Sequence, residues 1–432
     1  MPPTRTLEHD ENRAPGLPEL LARYAIPPAL VASVEMLGAL FYKSEFSYGD
    51  LQRARFALAS LPLLLVGAVY LLRSGYDGFK KLTPFGWAGV FATGLLATLT
   101  LVVSAPITAY ASAHSNALVT VFYATDRERD GSSTYTKFGN DMNVCNCLFY
   151  GRAQVSVPVD SKNGFFAWWS YRWNRQTTVP SITLTELSEV DFVRSVGESS
   201  VTTRHRDALI LIHGFHNPFQ DALLTTAGLQ YELKFRGPTI LYSWPSANST
   251  GDYNHDLLGA MRSARLLSNL LPTLASQEKI GQLSVVAHSM GGLVLGEALD
   301  RVSNREERKI FDNIVFAAPD VDEYNFNALA PAVKRASRRT TVYTCNWDFA
   351  LLASYALNRY PRVGSKAVGR SGMDVVDATV TAHVGLNHSY VFESPAVQND
   401  LFLLLVEHDK SPPAARINVE DSGYGYYSFK HP

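Results

Sequence analysis

The stretch LSVVAHSMGGLVLGEAL, Leu283 to Leu299, decides the fold. Leu283 to Ala287 is a short, mostly apolar run of the kind that makes a buried strand, and Leu293 to Leu299 reads as an apolar helix. Between them stand His288, Ser289, Met290, Gly291 and Gly292. Strand, sharp turn and helix, with serine at the apex, is the arrangement that exposes a hydroxyl at the end of a parallel sheet. Such a turn is strained and crowded, so the residues two before and two after the serine must be small. Ala287 and Gly291 meet that need, and the motif departs from G-x-S-x-G only by the methyl group of Ala287.

On both sides of this stretch the chain alternates short apolar runs with amphipathic segments, the pattern of a parallel sheet covered on both faces. Strands are expected at Ala208 to Ile212, Thr239 to Ser243, Leu283 to Ala287, Ile314 to Ala317, Thr341 to Thr344 and Val375 to Val380. Helices are expected at Asp252 to Leu271 and Met290 to Val302, and a further one capped by Asn217 with Pro218 in its first position. Ala117 to Tyr123 and Ala153 to Val159 add two earlier strands. A patch of Trp168, Trp169 and Trp173 reads as packing under a loop.

In such a sheet the chemistry collects past the carboxyl ends of the strands. The turn at Ser289 aims helix N-terminal N–H groups at the place where a tetrahedral oxyanion forms, with Met290 N–H as one donor. A second donor is expected from His213-Gly214-Phe215-His216, after the first core strand, as Phe215 N–H. His213 and His216 precede the serine and read as loop packing and hydrogen bonding more than as a catalytic base.

These features together resemble the α/β-hydrolase fold, in which serine is followed by an acid and then a histidine. More narrowly, VFYATDR at Val121 to Arg127, LIHGFHNPFQDAL, LYSWPS, VVAHSMG, VFAAPDVD and the late NHSY are similar to the bacterial esterase/lipase-like family DUF900, over about Val119 to Phe392. The resemblance implies His388 of Asn387-His388-Ser389-Tyr390 as the general base, with His383 as the nearby rival. It implies Asp348, after the strand Thr341 to Thr344, as the acid. Asp374 and Asp377 are rivals beside the next strand, and Asp320 and Asp322 one strand earlier, the last two fitting a helix cap or an ordering role. No metal and no organic cofactor are implied.

Composition limits the alternatives. Lys plus Arg number 39 against 40 Asp plus Glu, a net charge of -1, so nothing in the global field favours a polyanionic partner such as nucleic acid. Three cysteines are too few for a disulfide framework and lack zinc-ligand spacing. The front end is different in texture. Phe56 to Leu72 is 17 residues without a charge and Leu82 to Ala113 is 32, where a membrane helix needs about 20 apolar residues.

A helical membrane hairpin is therefore expected over residues 56–113, preceded by a tail and interfacial segment at 1–55 that includes the apolar Tyr24 to Tyr42. The α/β-hydrolase domain, with its mostly parallel central sheet, is expected at 116–410, and a C-terminal tail at 411–432. Basic residues flank the first run and crowd the loop after it about equally, so the side of the membrane stays open.

The function expected is a membrane-anchored serine hydrolase cleaving acyl esters, lipid-like ones among them, through an acyl-enzyme on Ser289. A non-catalytic binding or scaffold protein on the same fold, an acyltransferase and a peptidase are the alternatives. The full chain is expected to remain in the membrane pellet through an alkaline carbonate wash, and its release into the supernatant overturns the hairpin.

Overall fold

The computed structural model describes residues 115–130, 137–159, 181–247, 252–303, 309–381, 388–416 and 418–430. The expected hairpin at 56–113, the segment 24–42, the three tryptophans at 168, 169 and 173, and His383 lie outside them. Among the described residues no helix is long and apolar enough to cross a membrane. All of the described residues belong to one unit, His114–Pro432.

The unit opens with strands β1 (Ser115–Thr125), β2 (Arg127–Arg129), β3 (Phe138–Met142), β4 (Phe149–Val159) and β5 (Ile182–Leu187). Helices and strands then alternate as α1 (Glu189–Ser200), β6 (Asp207–Ile212), α2 (Phe219–Glu232), β7 (Thr239–Ser243), α3 (Tyr253–Ala275), β8 (Gln282–His288) and α4 (Gly291–Ser303). The alternation continues through β9 (Phe311–Ala317), α5 (Glu323–Ala336), β10 (Ser337–Thr344), α6 (Phe349–Asn358) and β11 (Asp374–Asp377). Helices α7 (Tyr390–Glu393) and α8 (Pro395–Leu405) and strands β12 (Val419–Asp421) and β13 (Tyr427–Phe429) complete it.

Among the described residues one sheet of eleven strands runs in the order β12-β13-β11-β10-β9-β8-β6-β7-β1-β4-β5. From β13 through β1 every neighbouring pair is parallel. Only β12, β4 and β5 pair antiparallel, at the two edges. The central strands are apolar almost throughout because both faces of the sheet are covered. Along them the period of two sorts side chains between two cores. Ile210, Ile212, Val285 and Ala287 face a core with Trp244, Leu267, Val294 and Leu295, while Leu209, Leu211 and Val286 face one with Tyr343, Leu401 and Leu404.

The topology places the crevice. The chain passes from β6 to β7 on one side, and α3 then carries it across to β8 on the other side of β6. The loops after β6 and β8 leave in opposite directions, and ligands enter open α/β sheets where strand order reverses in this way.

Two expectations need correction. Helix α2 begins at Phe219 with Pro218 as its N-cap, and no side chain caps it. Asn217 is held back by the hydrogen bond that its N–H donates to Ser246 Oγ and by Arg127 donating to its carbonyl, so it belongs to the preceding loop. The strand expected through Val380 ends at Asp377, where the Asp377 carboxylate accepts from Thr379 N–H and turns the chain into a short 3-10 helix at Thr379–Thr381. Within the segment 411–432, whose Gly423 to Phe429 reads from the sequence as a strand or arm packed on the surface, lie β12 and β13, and β13 extends the main sheet from β11. Cys145 and Cys147 are joined by a disulfide in the turn between β3 and β4, a pairing that the cysteine count did not suggest.

Phe429 anchors that edge: it is 2% exposed and its ring stacks near Tyr343 of β10. Phe429→Ala is expected to lower the unfolding free energy by about 3–5 kcal/mol in guanidinium denaturation, the range for deleting a buried phenyl ring. A change within about 0.5 kcal/mol, the range for surface substitutions, means that the C-terminal strands do not contribute to the core.

Candidate active site

Ser289 follows β8 and precedes α4 with φ of +55°, a left-handed conformation that costs a non-glycine residue about 1–2 kcal/mol. The surroundings hold it there. Ser289 N–H donates to Ala317 O of β9 at 2.9 Å, and Gly292 N–H closes the turn on Ser289 O at 3.0 Å. A Cβ on Gly291 would lie 2.5 Å from His213 O and 2.7 Å from Ile212 O, so only glycine lets α4 start this close to the end of β6. Gly214 is equally constrained, since a Cβ there would lie 2.7 Å from the Ser289 Cβ. The loop after β6 therefore rests directly against the serine.

Asp348 comes from the end of β10 and is wholly buried. It is the N-cap of α6, accepting from Leu351 N–H at 3.0 Å through Oδ1. Its other oxygen, Oδ2, lies 2.7 Å from Nδ1 of His388, which stands just before α7. A carboxylate accepts, so Nδ1 carries the proton and Nε2 of His388 is left with its lone pair. His288, next to Ser289 in the chain, joins the two sides of the site: its Nε2 lies 3.0 Å from His388 O, and the two rings are 4.7 Å apart. Among the described residues no hydrogen bond runs from the Ser289 hydroxyl to the His388 ring.

Burial opposes charge on both partners. It pushes the Asp348 carboxyl up, against the pull of the His388 charge, its hydrogen bond and the Leu351 N–H. At His388 burial acts to lower the imidazole, but the Asp348 charge and hydrogen bond, helped by Asp320 and Glu393, outweigh it, and His388 ends above its ordinary value.

The rival residues are engaged elsewhere. Asp374 pairs with Arg339 at 2.7 Å at the start of β11, the end of the strand away from the crevice. Asp377 caps the 3-10 turn, and Asp322 caps α5 by accepting from Asn325 N–H at 2.9 Å. Asp320 accepts from Ser354 Oγ at 2.7 Å and Tyr253 OH at 3.0 Å and faces Arg362 Nε at 3.3 Å. Tyr253 in turn packs on Phe215, ring centroids 5.5 Å apart, so Asp320 supports the wall of the crevice.

His213 is buried under the loop, stacked on Trp244 at 5.2 Å. Burial first, and then the charge of Arg127, lower its pKa well below the usual histidine range, so the ring is neutral. Among the described residues, neither Phe215 N–H nor Met290 N–H donates to a backbone carbonyl. Both expected oxyanion donors are thus uncommitted.

The residue that sequence reasoning passed over is Arg127. It closes the run VFYATDR, and its guanidinium is completely buried against the β6 loop. An arginine closing an apolar strand was the available signal, because such a charge is buried only where it is paired. Among the described residues no group of three or more His, Cys, Asp or Glu is placed to hold a metal ion. A surface cleft bounded by Glu323, Phe326, Lys334 and Arg370 includes none of Ser289, Asp348 or His388.

The raised His388 has a measurable consequence. In a pH titration followed by NMR of the imidazole, the midpoint is expected above 6.5, the ordinary value, and Asp348→Asn is expected to bring it down. The sign follows from the carboxylate favouring imidazolium: the stabilisation is complete at pH below the unfolded-state value and is lost as pH rises through the folded one. A wild-type midpoint below 6.5 contradicts the pairing.

Comparison with known proteins agrees with this architecture. A protein of Nostoc sp. (strain PCC 7120), described as uncharacterized protein alr1448, is 24% identical over 154 residues, which are 30% of this chain and 39% of that protein. The chain thus matches well under half the length of that relative. The family described as alpha/beta hydrolase of unknown function (DUF900) matches residues 189–405, from the start of α1 to the end of α8. A match of that extent, over the strands and helices that form the crevice, makes this chain a member of the DUF900 family of alpha/beta hydrolases.

Proposed function

We propose that this protein is a serine hydrolase acting on carboxylic esters through an acyl-enzyme on Ser289, with His388 as base and then acid and Asp348 as its orienting partner. The observation that carries the proposal is the buried Asp348 carboxylate on His388 Nδ1, on the same edge of the sheet as a serine held at positive φ. His388 Nε2 takes the Ser289 proton as Oγ attacks the ester carbonyl, and Asp348 stabilises the imidazolium so formed. The oxyanion is received by Phe215 N–H and Met290 N–H at the N-terminus of α4. Imidazolium then gives its proton to the departing alcohol, and water repeats the sequence to release the acid.

An apolar acyl group suits the surroundings. Helix α6, which begins at Asp348, buries only Leu351 and Ser354 and leaves Phe349, Leu352, Tyr355 and Leu357 exposed. Together with the apolar runs at 56–113, this supports lipid-like esters and a membrane-held enzyme.

The test is labelling of the detergent-solubilised protein with a fluorophosphonate probe. Wild type is expected to label, Ser289→Ala to take none, and His388→Ala and Asp348→Asn to label about 10³–10⁴-fold more slowly. Folded wild-type protein that takes no label moves the binding-protein reading ahead.

A further inference from the structure

The loop His213 to Asn217 carries the expected oxyanion donor, and its anchorage is unusual. It is pinned on both sides of Gly214-Phe215. Ahead of them, Trp244 Nε1 donates to His213 O at 2.8 Å, and the His213 ring is wedged against Ser243 Oγ at 3.2 Å. Behind them, Asp256 accepts from His216 N–H, Ser246 Oγ faces Asn217 N–H at 3.3 Å, and Asn217 O accepts from Arg127 Nη2 at 2.6 Å.

One side chain touches both pins. Arg127 Nη2 lies 3.3 Å from His213 Nε2 as well as 2.6 Å from Asn217 O. Its other donors tie the guanidinium to the sheet and to the neighbouring hairpin: Nε donates to Ser243 Oγ at 2.8 Å and Nη1 to Gly139 O at 3.1 Å. Arginine never accepts, so His213 must offer Nε2 as a lone pair and carry its proton on Nδ1, which faces Gly214 O at 2.8 Å. The guanidinium thereby selects the ring's tautomer as well as its place.

The desolvation is substantial, since burial lowers the Arg127 pKa to about 10 even with Asp126, Asp256 and Asp221 nearby. A charge is retained in such a place when its fork of donors orders something that a smaller group cannot. What it orders here is the loop lying against Ser289. Arg127 also sits outside residues 189–405, in the strand meander that precedes the family match.

We infer that Arg127 is a positioning residue for ester hydrolysis, a clamp that grips His213 and Asn217 from beneath and so keeps Phe215 N–H aimed at the oxyanion formed on the substrate of Ser289. The inference rests on the serine-hydrolase reading given above. Arg127 touches neither substrate nor the reacting atoms. Its effect is to keep a donor from drifting, and an error of about 1 Å in such a group can lower a rate by about 100-fold.

The experiment uses the full chain in detergent with Arg127→Lys, which keeps the charge and loses the fork, and Ser243→Ala, which removes the Nε acceptor together with the hydroxyl against His213 Nε2 and perturbs folding less. Fluorophosphonate labelling of wild type comes first, followed by kinetics on p-nitrophenyl butyrate and on its thiono analogue, whose developing charge falls on a sulfur that hydrogen-bonds weakly. Expected for Arg127→Lys is a fall in kcat of about 10–100-fold with KM changed less than about 3-fold, the thiono ester falling much less than the oxygen ester. Ser243→Ala is expected to shift both quantities in the same direction by a smaller factor. Hydrogen exchange of the peptide over residues 212–219 is expected to quicken in both variants while that over 283–288 does not.

A folded Arg127→Lys that matches wild type, or one that loses both esters equally, overturns the assignment while the labelling of wild type leaves the hydrolase reading intact. If Arg127→Lys does not fold, Ser243→Ala with unchanged kcat and unchanged exchange over 212–219 overturns it. Wild-type protein that takes no label overturns the hydrolase reading and the assignment with it.

Discussion

The molecule depends on how closely two pieces of backbone approach at the carboxyl edge of the sheet. The start of α4 runs against the carbonyls of Ile212 and His213 so tightly that a single methyl at Gly291 has no room, and the β6 loop runs against Ser289 with the same result at Gly214. That double contact holds Ser289 at positive φ, because relaxing the serine moves α4 into the end of β6. Strain of about 1–2 kcal/mol at one residue persists when the packing around it leaves no alternative. Positive φ recurs nearby at His216 and Ala318, after β6 and β9.

The polar groups around that contact are arranged in a largely water-free space. Asp348 has no exposure, and its two oxygens are committed to Leu351 N–H and to His388. An unpaired carboxylate there is unfavourable by several kcal/mol, so the pair forms as a unit or the residue protonates. Arg127 and Asp256 repeat the principle beneath the β6 loop, each buried and each bonded to loop backbone. Groups fixed in this way need little reorganisation when charge develops, which is the physical basis of oxyanion stabilisation.

The sheet is larger than the part that matches the family. β1 and β4 extend it beyond β7, and β13 and β12 beyond β11, all outside residues 189–405. These additions cover what would otherwise be long parallel edges with unpaired backbone groups. They also bring chemistry inward, since Arg127 belongs to the chain that follows β1.

The primary structure alone settled the strand-turn-helix at Ser289 and the order of the central strands' apolar runs, because both rest on local rules: steric demand around a tight turn and the continuous apolarity of strands buried on both faces. It also narrowed the partners of the serine, since chain order and resemblance singled out Asp348 and His388. Tertiary structure alone brought those two within 2.7 Å across 40 residues, while Asp374, Asp377 and Asp322 went to ion pairs and caps. Asn217 looked like a helix cap because Pro218 follows it, but long-range bonds, from Arg127 to its carbonyl and from its own N–H to Ser246, drew it into the loop. The role of Arg127 was invisible for the same reason. Three of its partners stand 86 to 116 residues away in the chain, and no local pattern encodes which residues those will be.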